Sequence, residues 1–563
     1  MTSRGAPAAA PRRPGLPGRS AAPVRGGAGR AGGLTGASEL LRLALRRDRM
    51  LLPAWIYVLT IIAVSGGYGV KLVYKTPASR MSLAATVHHD AALLFIYGQL
   101  HGDSYGAVLS WRYLAYAALA AGLMSIFLVV RHTRADEEAG RLELVGSTVV
   151  GRHAALTAAL LLALLANVLG VVLATGVLAA SGLPFAGALA YGLAQAGCGL
   201  AFAALAAIGV QVSGTARGAR GLLIAALGVV FLFRGVGDSG GSHGLTWLTW
   251  LSPIGWAELM QPFTGNRWWV LALPAAATAA GIAVAFALVS RRDAGAGLVP
   301  PRPGPPVASR QLAGPLGLAW RLQRGALAGW ATGFFVAGLA IGVVGKGIGQ
   351  LVGSTGAVSK ALSKIAGQAL LTNAYLAACL SLLGLVAAAY ATATVLRLRA
   401  EETDGLGEPL LASPVSRFRW AGSHLLVATV GTLVVMVAGG FGMGLAFGVA
   451  SSDLSDQLPR VVASSLVQVP AALAVAGVAW ALVGLLPRWS VAAGWSVVAI
   501  VGLIGLFGPA VNLPQGVLDI SPLTHAPKLP GGVFSATPVL WLIAATLALA
   551  AIGLSGLRRR DIG

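Results

Sequence analysis

The amino-acid sequence predicts an all-α fold: a polytopic membrane protein of about twelve transmembrane helices in two tandem six-helix halves. Composition, the spacing of apolar runs and an internal repeat lead there together. Hydrophobic residues make up 56% of the chain and charged residues only 11%, with a mean hydropathy of +0.77. A soluble domain carries about a quarter charged residues to cover its surface, so this chain must find its solvent in a bilayer. Each helical crossing takes roughly 20 apolar residues to span about 30 Å of hydrocarbon. Twelve crossings therefore leave room for loops within the 563 residues, and none for a large soluble domain.

Taken in order, residues 1–36 are rich in Pro, Gly, Ala and Arg and contain no apolar run, which predicts a disordered cytoplasmic tail. The segment Glu39 to Met50 sets Leu40, Leu41, Leu43 and Leu45 among Arg42, Arg46, Arg47 and Arg49. It suits a helix lying in the inner interface with its arginines toward headgroups. Half one, residues 37–297, then holds spanning runs near 51–72, 110–130, 154–181, 184–212, 218–237 and 269–290. The first run lacks a small-residue cleavage site, which argues against a cleaved signal peptide. The turn Ser181-Gly182-Leu183-Pro184 predicts a helical hairpin. Before the sixth run, Trp247, Trp250, Trp256, Trp268 and Trp269 fit an aromatic belt at the outer interface.

A Pro-rich linker over 298–311 leads into half two, residues 312–563. Its runs lie near 325–349, 373–396, 421–449, 460–486, 489–508 and 538–557, and Gln311 to Arg324 is the amphipathic counterpart of Glu39 to Met50. With the N-terminus in the cytoplasm, about 30 of the 41 Lys and Arg fall in cytoplasmic segments, as the positive-inside rule asks. Both termini are then cytoplasmic. This patchy distribution also explains the net charge of +22 without nucleic acid. Cys198 and Cys379 sit inside apolar runs and read as unpaired packing residues.

The internal repeat has an offset of about 265 to 270 residues. After the second run comes Arg134-Ala135-Asp136-Glu137-Glu138-Ala139-Gly140, then Glu143, Val150 and Arg152. After the eighth comes Arg399-Ala400-Glu401-Glu402-Thr403-Asp404-Gly405, then Glu408, Val415 and Arg417. The two align without a gap. Ser252-Pro253-Ile254 with Ala257 returns as Ser521-Pro522-Leu523 with Ala526, and Arg291-Arg292-Asp293 returns as Arg559-Arg560-Asp561. Equivalent loops recur on one side of the membrane, which describes a parallel duplication.

Eight of the 19 Asp and Glu lie in the two acidic loops, although cytoplasmic loops are mostly basic. A single such loop reads as a solvated segment whose acids offset nearby arginines. Its duplication at equivalent positions favours docking on a partner. The pattern Glu-Glu-x-x-Gly-x-x-Glu, with Ser413-Pro414-Val415-Ser416-Arg417 beyond it, resembles the loop after the second helix of type-2 ABC transporter permeases. The nearest likeness is to the fused, two-half membrane subunits of actinobacterial exporters for polyketide antibiotics and other drugs, and it covers the chain from about Ser38 onward.

The resemblance implies that each loop forms a coupling helix inserted into a groove of an ATPase subunit. Asp136, Glu137, Glu138, Gly140 and Glu143 would serve in half one, and Glu401, Glu402, Gly405 and Glu408 in half two. It also implies two copies of a cytoplasmic ABC ATPase that binds ATP and Mg, and a lipophilic substrate carried outward by alternating access. The path would run between helices 2 and 5 and helices 8 and 11, where Tyr113, Tyr116, Phe127, Phe231, Phe233, Tyr390 and Phe507 are the candidate lining. Half one has Gly146-Ser147-Thr148 where half two has Leu411-Ala412-Ser413, so the two couplings are expected to be unequal.

Other chemistries are disfavoured. No Gly-x-x-x-x-Gly-Lys-[Ser/Thr] phosphate loop occurs, so any ATP is hydrolysed by another chain and no cofactor is expected in this one. A proton-coupled antiporter is the rival, but it needs acids at membrane depth, and Asp238 and Glu258 fall at or beyond the outer boundary. A membrane-embedded transferase lacks a polar cluster at either interface. His88, His89, Asp90, His101 and Asp103 are ligand types for zinc without the spacing of a tetrahedral site, so no metal is expected.

Overall fold

The computed structural model describes residues 33–560 except 90, 142–149, 240–244, 293–296, 300–305, 308, 310, 311, 313, 355, 356 and 508–513. It gives the backbone alone at 86, 88, 89, 91, 92, 344, 346–354, 357–371, 506 and 507. Glu143, residues 1–32 of the expected tail and most of the linker therefore lie outside the described residues, as do the side chains of His88, His89 and Phe507.

The amphipathic segment forms α1 (Ala37–Arg47), and the first crossing is α2 (Leu51–Val64), prolonged through a π turn at Ser65–Gly69 to Val73. Two shorter helices, α3 (Pro77–His89) and α4 (Ala91–Tyr97), precede the long α5 (Tyr105–His132). A one-turn helix α6 (Arg134–Glu138) opens the first acidic loop. Then come α7 (Ala154–Ala180), α8 (Phe185–Val212), α9 (Ala216–Ser239), the short α10 (Pro253–Leu259) and α11 (Ala272–Val289). The predicted 181–184 hairpin joins α7 to α8, with Gly182 at φ +83°, a left-handed turn that glycine enters without steric cost.

The second set is α12 (Pro315–Ser354), α13 (Ala357–Thr403), α14 (Gly407–Leu411), α15 (Arg417–Ser451), α16 (Leu454–Leu466), α17 (Val469–Leu485), α18 (Ser490–Phe507) and α19 (Ala536–Arg559). Among the described residues, eleven helices are long and apolar enough to span a membrane. The remaining apolar run forms α18, whose described apolar part, Ser490–Gly505, is shorter than the others. Unlike α1, the amphipathic segment of half two is no separate interfacial helix. It is the first part of α12, continuous with the crossing, because no break like Asp48–Met50 interrupts it.

Helices pack here through small residues, as lipid tails leave little hydrophobic drive between apolar faces. The alanine- and glycine-rich α8 is buried on most sides against α5, α7 and α11. The contact of α12 with α15 is closer still. A Cβ built on Gly338 would sit 2.1 Å from the Gly439 carbonyl oxygen, and one on Gly442 would sit 2.3 Å from that of Phe335. Every core cluster draws its buried residues either from 44–289 or from 327–557. The two sets meet where α3 and α4 lie on α12, so a connecting segment of the first half supplies contact with the second.

Candidate functional site

The acidic loops and the helix ends form one structure in each half. In the first, α5 gives way at Thr133 to α6, and Arg134 Nη1 lies 2.9 Å from Glu137 Oε2. The Glu137 carboxylate is gripped from its other side by Arg292, just beyond α11, with Nη1 at 3.1 Å from Oε1 and Nη2 at 2.9 Å from Oε2. Such a two-point grip fixes orientation as well as distance. The Arg292 carbonyl, orphaned past the helix end, accepts a 2.7 Å bond from Arg152.

The second half repeats this residue by residue. Arg399 Nη1 is 2.8 Å from Glu402 Oε2, Arg560 takes Glu402 Oε1, and Arg417 donates to the Arg560 carbonyl at 2.8 Å. The repeated loop and the repeated Arg-Arg-Asp ending are therefore the two sides of one clasp. Sequence reasoning found both sides but not that they meet. The signal was available, since Arg152, Arg292, Arg417 and Arg560 recur in the same order as their acids.

The neighbouring acids differ between halves. Asp136 is buried and pairs with Arg47 of α1 at 2.6 Å and Arg141 at 3.0 Å. Its counterpart Glu401, also buried, faces α15: His424 Nε2 at 3.2 Å and Trp420 Nε1 at 3.4 Å, with Arg397 at 3.6 Å. Gly140 (φ +67°) and Gly405 (φ +70°) end their helices in the left-handed region, where glycine avoids a Cβ clash. Of the acids predicted for docking, Asp136, Glu137, Glu401 and Glu402 are thus turned inward. Glu138 is exposed, though its Oε1 accepts the backbone N–H of Ala216 at 3.0 Å, capping α9 from a distance. Glu408 is exposed beside Asp404 and Leu406, the last 55% accessible.

At the opposite end, Arg234 of α9 is fully buried and gathers two acids. Its Nη1 is 3.0 Å from Glu258 Oε1 on α10 and 3.8 Å from Asp238 Oδ2, and its Nη2 donates to the Ile96 carbonyl at 2.9 Å. Thr249 donates to Asp238 Oδ1 at 3.0 Å. Burial pushes the Glu258 carboxyl well above the usual carboxylate range; Arg234 opposes this and Asp238 reinforces it. Ser252 caps α10 by accepting the Gly255 N–H at 3.3 Å, with Pro253 in its first turn. That explains the Ser-Pro motif, whose repeat opens the 3-10 turn Pro522–Thr524.

Between the halves, near α4, a cavity of about 540 Å³ is lined by α5, α9, α12 and α13. Of the candidate path residues, Tyr116 and Phe231 line it. Four of the others are elsewhere. Tyr113 closes over Gly66 and Gly69 of the π turn, and Phe127 stacks on Trp55 at 6.0 Å. Tyr390 is buried against Trp330 and Gly431 within half two, and Phe233 is partly exposed outside the cavity lining.

A sequence-family profile described as "Multidrug efflux system permease Rv1217c, C-terminal domain" matches residues 312–558, which run from just before α12 almost to the end of α19. The "Multidrug efflux system permease protein Rv1217c" of Mycobacterium tuberculosis (strain ATCC 25618 / H37Rv) is 42% identical over 537 residues, 95% of this chain and 96% of that protein. The chain belongs to this family of multidrug efflux permeases. Membership agrees with the predicted resemblance and with the helical, membrane-spanning architecture.

Proposed function

We propose that the permease is the membrane subunit of an ATP-driven ABC exporter, moving a lipophilic, drug-like compound out of the cytoplasm or inner leaflet. ATP and Mg would be bound by a separate ATPase subunit, in two copies, one beneath each half, with both termini of the permease cytoplasmic. The observation that carries this reading is the duplicated clasp. Each half ties its acidic loop to the end of its last helix, and a short motor-facing segment next to the tie gives a motor two equivalent points of purchase. Family membership supplies efflux; the clasps supply places to push.

The proposal assigns docking to the outward residues beside each clasp, Glu138 in half one and Leu406, Glu408 and Asp404 in half two. The inward acids Asp136, Glu137, Glu401 and Glu402 with Gly140 and Gly405 hold those residues in place. In a permease co-expressed with its ATPase, Glu408→Lys together with Leu406→Asp should lower the co-purifying ATPase from two copies toward one and abolish drug-stimulated ATP hydrolysis while the permease alone keeps its thermal midpoint. Unchanged co-purification and stimulation would remove the docking assignment. Drug movement by the purified chain alone, driven by a pH gradient in proteoliposomes, would favour the proton-coupled alternative, for which Arg234, Asp238 and Glu258 are the acid-bearing cluster.

A further inference from the structure

The cavity between the halves has one charged residue in its lining among the described residues, and that residue is an arginine inside a spanning helix. Arg112 lies seven residues into α5, just inside the outer end of the apolar run near 110–130. An arginine there can reach toward the interface or hold an anion in the cavity it borders. The fully buried arginines among the described residues are paired, Arg134 with Glu137 and Arg234 with Glu258, whereas the half-buried Arg112 is not. Among the described residues Arg112 makes no ion pair and no hydrogen bond. Its surroundings are tyrosines: the Tyr97 ring lies 5.8 Å from the guanidinium carbon to the centroid, and Tyr74, Tyr113 and Tyr116 are also near. Around it Tyr97 packs against Trp111 at 4.8 Å and edge-on against Tyr116 at 6.0 Å. The facing wall from α12 is apolar: Ala337, Ala340 and Ile341.

The repeat makes this charge informative. In the gapless register that pairs Arg134 with Arg399, the counterpart of Arg112 is Ala377. The scaffold does not require a cation at this position, since the other half is built without one. Ala377 borders a separate cavity of about 570 Å³, whose charged lining residue among those described is again basic, Lys528. Among the described residues no acid lines either cavity.

We propose that Arg112 is the anion anchor of a binding site for amphiphilic compounds that carry a carboxylate or similar acidic group on an aromatic or aliphatic body. The acidic group takes the guanidinium through charge-assisted hydrogen bonds. The body lies between the Tyr97, Trp111 and Tyr116 rings and the α12 wall. The cavity size is in the range of small-molecule sites, roughly 300–1,000 Å³. This deepens the exporter reading and rests on it, by naming a charge class for the cargo.

The test uses three probes with one body: pyrenebutyrate, pyrenebutanol and pyrenebutylamine, titrated by fluorescence into the full chain in phosphatidylcholine nanodiscs. The wild type should prefer the carboxylate to the amine. Arg112→Gln should weaken pyrenebutyrate about tenfold or more, the scale of a lost charge-assisted contact, and leave pyrenebutanol within about twofold. Arg112→Lys should recover part of the loss. Unchanged pyrenebutanol binding also shows that the variant is folded. Equal pyrenebutyrate affinity in wild type and Arg112→Gln overturns the proposal. So does a wild type that binds pyrenebutyrate no better than the amine while Arg112→Gln loses retained phosphatidylglycerol, because the site is then a lipid-headgroup seat. Failure here leaves the exporter reading standing wherever ATP-driven efflux of neutral drugs by the permease–ATPase complex persists; loss of that efflux with anion binding intact would strike the exporter reading alone.

Discussion

Replacing Glu402 by Gln removes the charge from the centre of the second clasp while keeping its shape. The Glu402 side chain is 3% exposed, and its partners Arg560 and Arg399 are 16% and 22% exposed. Breaking a buried ion pair by removing one partner costs about 3–5 kcal/mol, because the remaining charge loses its compensation. Water reaches part of both arginines, which places this case nearer about 2–3 kcal/mol. For a cooperative unit of about 150–250 residues, 1 kcal/mol moves the midpoint by about 2–4 °C, so the apparent midpoint in detergent should fall by roughly 5–10 °C. Arg560→Gln should do the same, and the double variant should lose clearly less than the two singles combined, giving a coupling energy above about 1 kcal/mol. Scans at one fixed heating rate keep the comparison valid for irreversible unfolding. A Glu402→Gln midpoint within about 1 °C of wild type, or strict additivity in the cycle, would refute the clasp as a structural tie.

Two further outcomes follow from the packing and the charges. Gly338→Val should disrupt the α12–α15 contact, because its Cβ would meet the Gly439 carbonyl at 2.1 Å; overpacking costs about 1–3 kcal/mol, and a midpoint unchanged from wild type would contradict the contact. Glu258 has its pKa raised above the ordinary 4.5 by burial, so the folded chain keeps a proton that the unfolded chain releases. Its contribution to stability is complete below about pH 4.5 and declines as pH rises through the elevated folded value. Glu258→Gln should flatten that decline in a series of midpoints against pH, and an unchanged slope would show that the carboxyl does not hold its proton.

The sequence made the helices legible because a spanning run is the strongest local signal a chain carries, and each apolar run from 51–72 to 538–557 corresponds to a helix. The amphipathic pattern at Gln311 to Arg324 misled for a physical reason. The same periodicity suits a helix lying in an interface and the emerging end of a spanning one, and only the break at Asp48–Met50, absent in half two, separates them. Pairing was legible only through the repeat: Glu137 and Arg292 are 155 residues apart, and the joint recurrence of both segments in half two is what connects them. The acids were expected to dock on a partner because the acidic loop recurs at equivalent positions in both halves. They turn inward because each loop adjoins two helix ends with guanidinium groups to neutralise. Of the path aromatics, Tyr116 and Phe231 line the cavity, while Tyr113, Phe127 and Tyr390 fill spaces between packed elements.

The clasps also change what a charge reversal at the acidic loops can mean. Glu137→Lys or Glu402→Lys would place a third cation among Arg134 and Arg292, or among Arg399 and Arg560, and would loosen the fold before any partner is considered. Loss of ATPase binding in those variants therefore says little about docking, whereas Glu408 makes the distinction because it stands outside the tie. If force enters at these loops, the pairs determine where it goes. In half two it passes from α14 through Glu402 to the end of α19 and through Glu401 to His424 on α15. In half one it passes through Glu137 to the end of α11 and through Asp136 to Arg47 on α1, the helix that leads into the first crossing. The last helix is engaged alike in both halves and the second recipient is not. The two loops differ in this second tie: one is joined to the segment preceding the first crossing, the other to the helix that follows the loop.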